Sequence, residues 1–265
     1  MTGPNLPTLS DPLRALLAER PATFVLTGAG ISQESGVPTF RGDGGLWRDH
    51  RPEDLATPEA FARDPRLVWE WYRWRRGVVA GAAPNAGHRA LAELEDAIPE
   101  FLIATQNVDG LHQRAGSRRV VELHGSLFRT RCGACGRLLE ERGGGRVGDD
   151  DLPRCACGAL GRPDVVWFGE SLPSEALERA AAASRAARLV LVVGTSALVQ
   201  PAASLATIGK LEGARLVVVN PERTPLDSYA DDRIAGSAAT ALPLLAAAAA
   251  GARSGAGTSP LPRRA

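Results

Sequence analysis

The sequence predicts an α/β protein built on a doubly wound parallel sheet, and two observations carry that prediction. Apolar runs of strand length recur along the chain without polar alternation, which is typical of strands covered by helices on both faces. Each run ends in small or polar residues, and helical segments lie between the runs, as in repeated strand–helix units. The 265 residues provide ample apolar material for one large domain or two small ones.

The predicted strands follow in order along the chain. They are residues 22–27, 101–105, 120–123, 165–168, 188–193 and 215–219. Helices are predicted at residues 86–97 and 174–187. Two segments do not fit this alternation: residues 39–84, rich in glycine, proline and tryptophan, and residues 126–162, which hold the cysteines. Both are predicted to be insertions that form a small second lobe.

Small and polar residues follow the carboxyl ends of the predicted strands, where parallel sheets bind ligands. The candidates at these positions are Gly28, Gln106, Asn107, Asp109, His124, Thr195, Ser196, Asn220 and Glu222. The first strand runs into TGAGISQESG, in which Gly28 and Gly30 would let the backbone approach a pyrophosphate. Gln33 stands where the dehydrogenase fingerprint has its third glycine, so a tight strand–helix turn is the competing interpretation.

The four cysteines form two close pairs, Cys132 with Cys135 and Cys155 with Cys157. Two such pairs, each followed by glycine, are typical of a closed site with four thiolate ligands. The sequence therefore predicts one structural Zn²⁺ per chain. Four free or redox-active thiols are the alternative.

Composition and charge exclude some classes of protein. Lys+Arg 31 against Asp+Glu 30 leaves no basic excess, which argues against a nucleic-acid partner. No apolar run is long enough to span a membrane, and the first residues do not resemble a signal peptide, so we expect a cytoplasmic protein without a membrane partner. We expect a monomer, with residues 246–265 beginning as a helix end and continuing as a disordered tail.

The blocks GAGISQESGVPTFRG, TQNVDGLH, LHG, the paired cysteines, VVWFGE, VVGTS and VNPE occur in that order. Together they resemble the sirtuin family of NAD-dependent protein lysine deacylases. The resemblance implies a Rossmann-like domain from residues 12–38, 85–125 and 163–245. It also implies a small lobe made of a helical insertion, residues 39–84, and a four-cysteine zinc ribbon, residues 126–162.

The resemblance also implies roles for individual residues. NAD would be bound by Gly28, Ala29, Gly30, Ile31, Phe40, Arg41, Trp47, Gln106, Asn107, Asp109, Gly194, Thr195, Ser196, Asn220, Pro221, Glu222 and Ala238. The acylated lysine of a protein substrate would lie beside Val166, Trp167, Phe168 and Gly169, with His124 and Asn107 as catalytic residues. The acyl oxygen attacks the ribose carbon that carries nicotinamide, and a ribose hydroxyl then loses a proton to a base, giving nicotinamide and O-acyl-ADP-ribose.

Four histidines compete for the role of base: His50, His88, His112 and His124. His88 stands at a predicted helix start, His50 in a loop, and His112 where it could brace the turn at Asp109. Only His124 comes directly off a strand end and precedes a glycine. Its position alone leaves a structural role open, and the resemblance implies that it is the base.

Trp69 to Arg76 reads WEWYRWRR, a concentration of rings and guanidinium groups. Tyr72 and Arg75 share one helix face, where a phenol and a guanidinium can bind a carboxylate. In the class III, desuccinylase/demalonylase-like branch of the sirtuins, such a pair reads the acyl carboxylate. The three tryptophans are predicted to pack the small lobe. Asp43 stands where that branch commonly has alanine and would repel the carboxylate, so a deacetylase without acidic preference stays open.

Other classes of protein would use the same features differently. A mono-ADP-ribosyltransferase would share the NAD site, a dehydrogenase would transfer hydride, and an NAD sensor would bind without releasing nicotinamide. A base beside the ribose favours chemistry over sensing.

Overall fold

The computed structural model describes residues 7–38, 51–139 and 152–251 of the chain. The α-helices in these ranges are α1 (Asp11–Ala18), α2 (Pro52–Leu55), α3 (Pro58–Arg63), α4 (Pro65–Gly81), α5 (Ala86–Ala97), α6 (Leu111–Arg114), α7 (Ser174–Ala186), α8 (Ser204–Leu211) and α9 (Ala238–Gly251). The strands are β1 (Thr23–Thr27), β2 (Phe101–Thr105), β3 (Val120–Glu122), β4 (Gly125–Cys132), β5 (Leu138–Leu139), β6 (Gly161–Val165), β7 (Leu189–Val193), β8 (Arg215–Val219) and β9 (Asp232–Ile234).

The larger sheet has six parallel strands in the order β3-β2-β1-β7-β8-β9. Every residue of β1 and of β7 is buried, as expected for strands covered on both faces. Val25 belongs to the core cluster shared with α1, α5 and α9, whereas Phe24 and Leu26 belong to the cluster shared with α7 and α8. The predicted doubly wound sheet is therefore confirmed, and its strand order reverses between β1 and β7.

The smaller sheet is antiparallel, in the order β5-β4-β6. Its strands β4 and β6 meet at one end where Gly125 pairs with Val165. The prediction of a strand at residues 165–168 is wrong in its bounds and its partner. The strand is Gly161–Val165, and it pairs with β4 instead of joining the parallel sheet. Pro163 fits there because β6 is an edge strand of the smaller sheet.

Helix α4 packs against the smaller sheet through the aromatic segment. Trp69 donates its indole N–H to the carbonyl of Gly161 at 3.0 Å, and Arg76 donates to the carbonyl of Leu127 at 2.7 Å. Trp69 and Trp71 are buried and Trp74 is half-buried in the same core cluster, which confirms that the tryptophans pack this lobe. The cluster also places Tyr72 in the interior.

Two helical segments lie at positions that the sequence indicated. The turn after β1 forms a short 3₁₀ helix, Ala29–Ser35. Helix α9 runs to Gly251 and so includes the alanine run that begins the predicted tail. Across the described ranges, each helix is too short or too polar to cross a membrane.

Candidate active site

The turns that follow β1 and β7 touch each other where the strand order reverses. The amide of Gly28 donates to the carbonyl of Val193 at 3.1 Å, and the amide of Gly30 donates to that of Gly194 at 2.7 Å. A Cβ on Gly30 would lie 2.8 Å from that carbonyl oxygen, and one on Gly28 would lie 2.6 Å from the Cβ of Thr195. Glycine is therefore required at both positions by contact between the two turns.

Polar side chains after β2 reach across to the same turns. Gln106 donates to the hydroxyl of Thr195 at 3.1 Å, and the Asn107 amide donates to the carbonyl of Gly28 at 3.1 Å. Asp109 is buried, and its carboxylate accepts the amide N–H of Leu111 at 2.9 Å. The structure thus brings together the predicted residues from the ends of β1, β2 and β7.

Ser32 was not a predicted site residue, yet it connects several residues that were. Its hydroxyl donates to Asp109 at 2.7 Å, accepts from Asn107 at 3.1 Å, and lies 3.4 Å from Nε2 of His88. The side chain is almost fully buried. The sequence gives no sign of this role beyond the position of Ser32 at the end of the GAGIS block.

The remaining predicted NAD-binding residues lie after the end of β8 and at the start of α9. Asn220 donates to the carbonyl of Thr195 at 3.0 Å, while Glu222 and Ser196 are exposed. The carbonyl of Pro221 accepts from Arg233. Ala238 is buried at the start of α9, next to Ala239, whose amide donates to Glu34 of the 3₁₀ helix. Phe40, Arg41 and Trp47, which were predicted to bind NAD, lie outside the described residues, as do Asp43 and His50.

His124 directly precedes β4 and is half-buried. Its Nδ1 lies 2.9 Å from the backbone carbonyl of Gln106. A carbonyl oxygen only accepts, so Nδ1 carries the hydrogen and Nε2 of the neutral ring keeps its lone pair. Burial lowers the pKa of His124 below its ordinary value, more than the bond to Gln106 raises it. The ring can therefore accept a proton at neutral pH.

The other described histidines are buried more deeply. Nε2 of His112 lies 2.9 Å from the hydroxyl of Thr27, so it braces the end of β1 instead of the Asp109 turn. His88 lies in the first turn of α5, as predicted, where it forms a capping box with Asn85. Burial lowers the pKa of His112 to about 3. It also lowers the pKa of His88 to about 4, although the charge of Asp109 raises that pKa.

We expect these two histidines to make the free energy of unfolding fall in mild acid. Both stay neutral in the fold, whereas the unfolded chain binds protons below about pH 6.5, so stability is present above that pH and is lost as the pH falls. Between pH 7 and 5.5 each should cost about 1 kcal/mol. Urea unfolding at both pH values, with zinc content checked, measures this, and His112→Gln should reduce the difference. An unchanged difference would contradict the assignment of His112 as neutral.

The segment Val166 to Gly169 leaves the smaller sheet beside His124. The amide of Val166 donates to the carbonyl of His124 at 3.0 Å, and that of Phe168 donates to the carbonyl of Ala56 at 3.0 Å. Phe168 is 55% exposed, and Leu198 (60%) and Val199 (45%) after β7 are exposed as well. The structure therefore places the predicted substrate segment next to the predicted base.

Tyr72 and Arg75 lie side by side in the interior. The guanidinium carbon of Arg75 is 5.6 Å from the centre of the Tyr72 ring. Arg75 lines a small cavity whose other walls include Ala29, Asn107 and Asp109. Burial lowers the pKa of Arg75 by more than Tyr72 and Asp109 raise it, because a cation is costly to place in the interior.

The four cysteine sulfurs cluster as the spacing predicts. They lie within 4.8 Å of one another, with Cys132 and Cys157 3.5 Å apart and Cys135 and Cys155 3.8 Å apart. Tetrahedral zinc with bonds of about 2.3 Å separates its sulfurs by roughly 3.8 Å, so the cluster fits one ion. Two amides, those of Ala134 and Cys135, point at the Cys132 sulfur at 3.4 Å. Four thiolates leave no open position, so such an ion is structural.

The sequence and the fold are both similar to those of known proteins. Residues 28–201 match the model of the Sir2 family. The chain is 54% identical over 218 residues to an NAD-dependent protein deacylase of Aquifex aeolicus (strain VF5), covering 82% of this chain and 90% of that protein. It resembles a solved Sir2 homolog–NAD complex with a TM-score of 0.85 and 46% identity, over 92% of this chain and 95% of that one. A Sir2–p53 peptide–NAD⁺ structure matches with a TM-score of 0.77 and 34% identity, over 88% and 96%. The chain therefore belongs to the sirtuin (Sir2) family.

Proposed function

We propose that this protein is an NAD-dependent protein-lysine deacylase that removes acetyl groups and, through Tyr72 and Arg75, succinyl and malonyl groups. Its products are nicotinamide and O-acyl-ADP-ribose. One observation carries the proposal: a neutral histidine, His124, stands between the turns at the reversal of the strand order and the substrate segment Val166 to Gly169. Relatives named as NAD-dependent protein deacylases and a Sir2 structure with NAD support the same activity.

NAD supplies the ribose carbon that gives up nicotinamide. The protein's part is to hold that sugar and exclude water, and the strand ends where the order reverses between β1 and β7 suit this task. The buried amide of Asn107 and carboxylate of Asp109 are held in place by Ser32. Fixed dipoles of this kind would orient the ribose and its leaving group without rearrangement during the reaction.

His124 would take the proton from a ribose hydroxyl through Nε2. The hydrogen bond from Nδ1 to the carbonyl of Gln106 fixes both the tautomer and the ring plane. Gln106 also donates to Thr195 after β7, so the base is tied to the turns that would hold the coenzyme. This connection gives the base a defined distance from the sugar.

The peptide would run beside Val166 to Gly169 as an added strand. The amides of Val166, Trp167 and Phe168 all donate within the protein, so the path of the segment is set before a peptide arrives, and an added strand would pair through carbonyl groups of the segment. Main-chain pairing reads side chains only loosely, which suits an enzyme that accepts many acylated lysines.

The acyl group would reach toward Arg75, which lines a small cavity together with Asn107 and Asp109. A terminal carboxylate there would lie within reach of a buried guanidinium and would offset the cost of burying that charge. The proposed preference for succinyl and malonyl groups depends on this placement of Arg75.

One experiment tests the activity and separates it from its alternatives. The zinc-loaded protein is incubated with NAD and with acetyl-, malonyl- and succinyl-lysine peptides, and the products are identified by mass spectrometry. We expect free lysine, nicotinamide and O-acyl-ADP-ribose. ADP-ribose attached to protein would indicate a transferase, and release of no nicotinamide from any peptide would refute the proposal.

The acyl preference predicts a specific effect of the Tyr72 and Arg75 side chains. Arg75→Met should lower the ratio of kcat/KM for succinyl-lysine over acetyl-lysine by about ten- to a hundredfold, because a hydrogen bond to a charged group is lost. Tyr72→Phe should lower the same ratio by a smaller factor. Arg73→Met, an exposed position on the same helix, is the matched control and should leave the ratio unchanged. Equal loss of both activities in Arg75→Met would instead indicate structural support.

A further inference from the structure

Trp167 differs from its neighbours in the substrate segment. The residue is only 3% exposed, whereas the next residue, Phe168, is 55% exposed. The indole points into the core of the small lobe, where it joins the cluster that contains Tyr72. A residue of the substrate segment thus reaches the pair proposed to read the acyl group.

Contacts on several sides fix the orientation of the indole. The guanidinium carbon of Arg162 lies 3.3 Å from the ring centre, and the ring of Phe61 lies 5.4 Å away. The backbone amide of Trp167 donates to Glu170 at 2.8 Å, and Arg162 donates to the same carboxylate at 2.5 and 2.9 Å. Burial raises the pKa of Glu170, but these hydrogen bonds lower it by more, so the pKa lies below its ordinary value. The carboxylate is therefore charged, and the arrangement holds at neutral pH.

With the ring fixed, its N–H meets the phenol of Tyr72. Nε1 of Trp167 lies 2.8 Å from Oη of Tyr72. An indole N–H only donates, so the phenol oxygen is the acceptor of this bond. The guanidinium of Arg75, whose carbon lies 5.6 Å from the centre of the Tyr72 ring, is also a donor without acceptor capacity. Neither neighbour can therefore accept a hydrogen bond from the hydroxyl of Tyr72.

That proton is retained at neutral pH. Burial raises the pKa of Tyr72 above its usual value, although Arg75 opposes the shift. The hydroxyl is therefore a donor whose direction is restricted by Trp167, and it stands next to a buried cation. The ligand that such a pair of donors matches is an anion with more than one acceptor oxygen.

We propose that Trp167 is a specificity-determining residue for acidic acyl groups, because its N–H directs the Tyr72 hydroxyl hydrogen toward the carboxylate that Arg75 would bind. The inference rests on the acidic-acyl part of the proposed function. Trp167 acts through Tyr72 and is a positioning residue. It also joins the two halves of substrate recognition, since the segment beside the peptide orients the group that reads the acyl end.

A double-mutant cycle tests this inference. Trp167→Phe is made in the wild-type protein and in Tyr72→Phe, and the ratio of kcat/KM for succinyl-lysine over acetyl-lysine is measured in all four proteins. The ratio cancels losses common to both reactions, including any fraction of unfolded protein. We expect Trp167→Phe to lower the ratio by about three- to tenfold in the wild type, the value of one neutral hydrogen bond. In Tyr72→Phe, which has no hydroxyl to direct, it should leave the ratio unchanged.

Two outcomes would overturn the inference while leaving the acidic-acyl proposal intact. In one, the ratio depends on Tyr72 and Arg75 but not on Trp167. In the other, Trp167→Phe lowers the ratio equally in both backgrounds, which would mean that Trp167 acts by packing alone. A wild-type ratio that is insensitive to Tyr72 and Arg75 would refute both proposals together. If phenylalanine prevents folding, benzothienylalanine at position 167 keeps the ring shape without the N–H donor and decides the same question.

Discussion

Replacing His124 with alanine should lower kcat for deacylation by roughly 10²- to 10⁴-fold, the usual contribution of a general base. The expected loss follows from the geometry of the ring. Nδ1 is committed to the carbonyl of Gln106, so Nε2 is the atom that would accept the sugar proton. Steady-state rates of nicotinamide and O-acyl-ADP-ribose formation on an acetyl-lysine peptide provide the measurement.

The same variant should still bind NAD, because the predicted coenzyme contacts come from the segments after β1, β2, β7 and β8 and from the start of α9, and not from His124. Calorimetric titration with NAD is the control. Replacement of His112 by glutamine, which removes a histidine without touching Nε2 of His124, should not reproduce the loss of rate. Full turnover by His124→Ala would remove the base assignment and leave His124 with a structural role.

Removal of zinc should disorder the smaller sheet and abolish deacylation. Structural zinc contributes about 10–16 kcal/mol of folding free energy in small zinc-binding peptides. A chelator strong enough to strip the ion, or Cys135→Ser, should lower the melting temperature and remove hydrogen-exchange protection from β4 and β6. The six-stranded sheet should keep its protection, because its core clusters do not include the cysteines.

Activity should fall together with the smaller sheet, although the metal takes no part in the reaction. Strand β4 begins directly after His124, and β6 ends directly before Val166. Added zinc should restore the chelated wild type but not Cys135→Ser. Retention of exchange protection in β4 and β6 without bound metal would contradict this account of the lobe.

Much of the fold could be predicted because its signals are local. A continuous apolar run such as residues 189–193 specifies a strand covered on both faces, whatever its neighbours are. The paired cysteines likewise indicate a metal ligand set without knowledge of the sheet around them. His124 could be singled out because it follows a strand end, although the resemblance to sirtuins was needed to give it a role.

The rest depends on contacts between distant parts of the chain. The run at residues 165–168 looks like a parallel strand, yet pairing with β4 decides that the strand ends at Val165. Ser32 reads as an ordinary turn residue, and its importance appears only when Asp109 and Asn107 close around it. The hydrogen bond from Trp167 to Tyr72 joins residues far apart in the sequence, so no local pattern could indicate it.

The pairing of Gly125 with Val165 has a mechanical consequence. The proton acceptor and the substrate strand are attached to adjacent ends of one small sheet, so a rocking motion of that sheet would carry both as a unit. Their mutual alignment would survive such a motion, and the hydrogen bond between His124 and the carbonyl of Gln106 would limit how far the pair could move from the sugar.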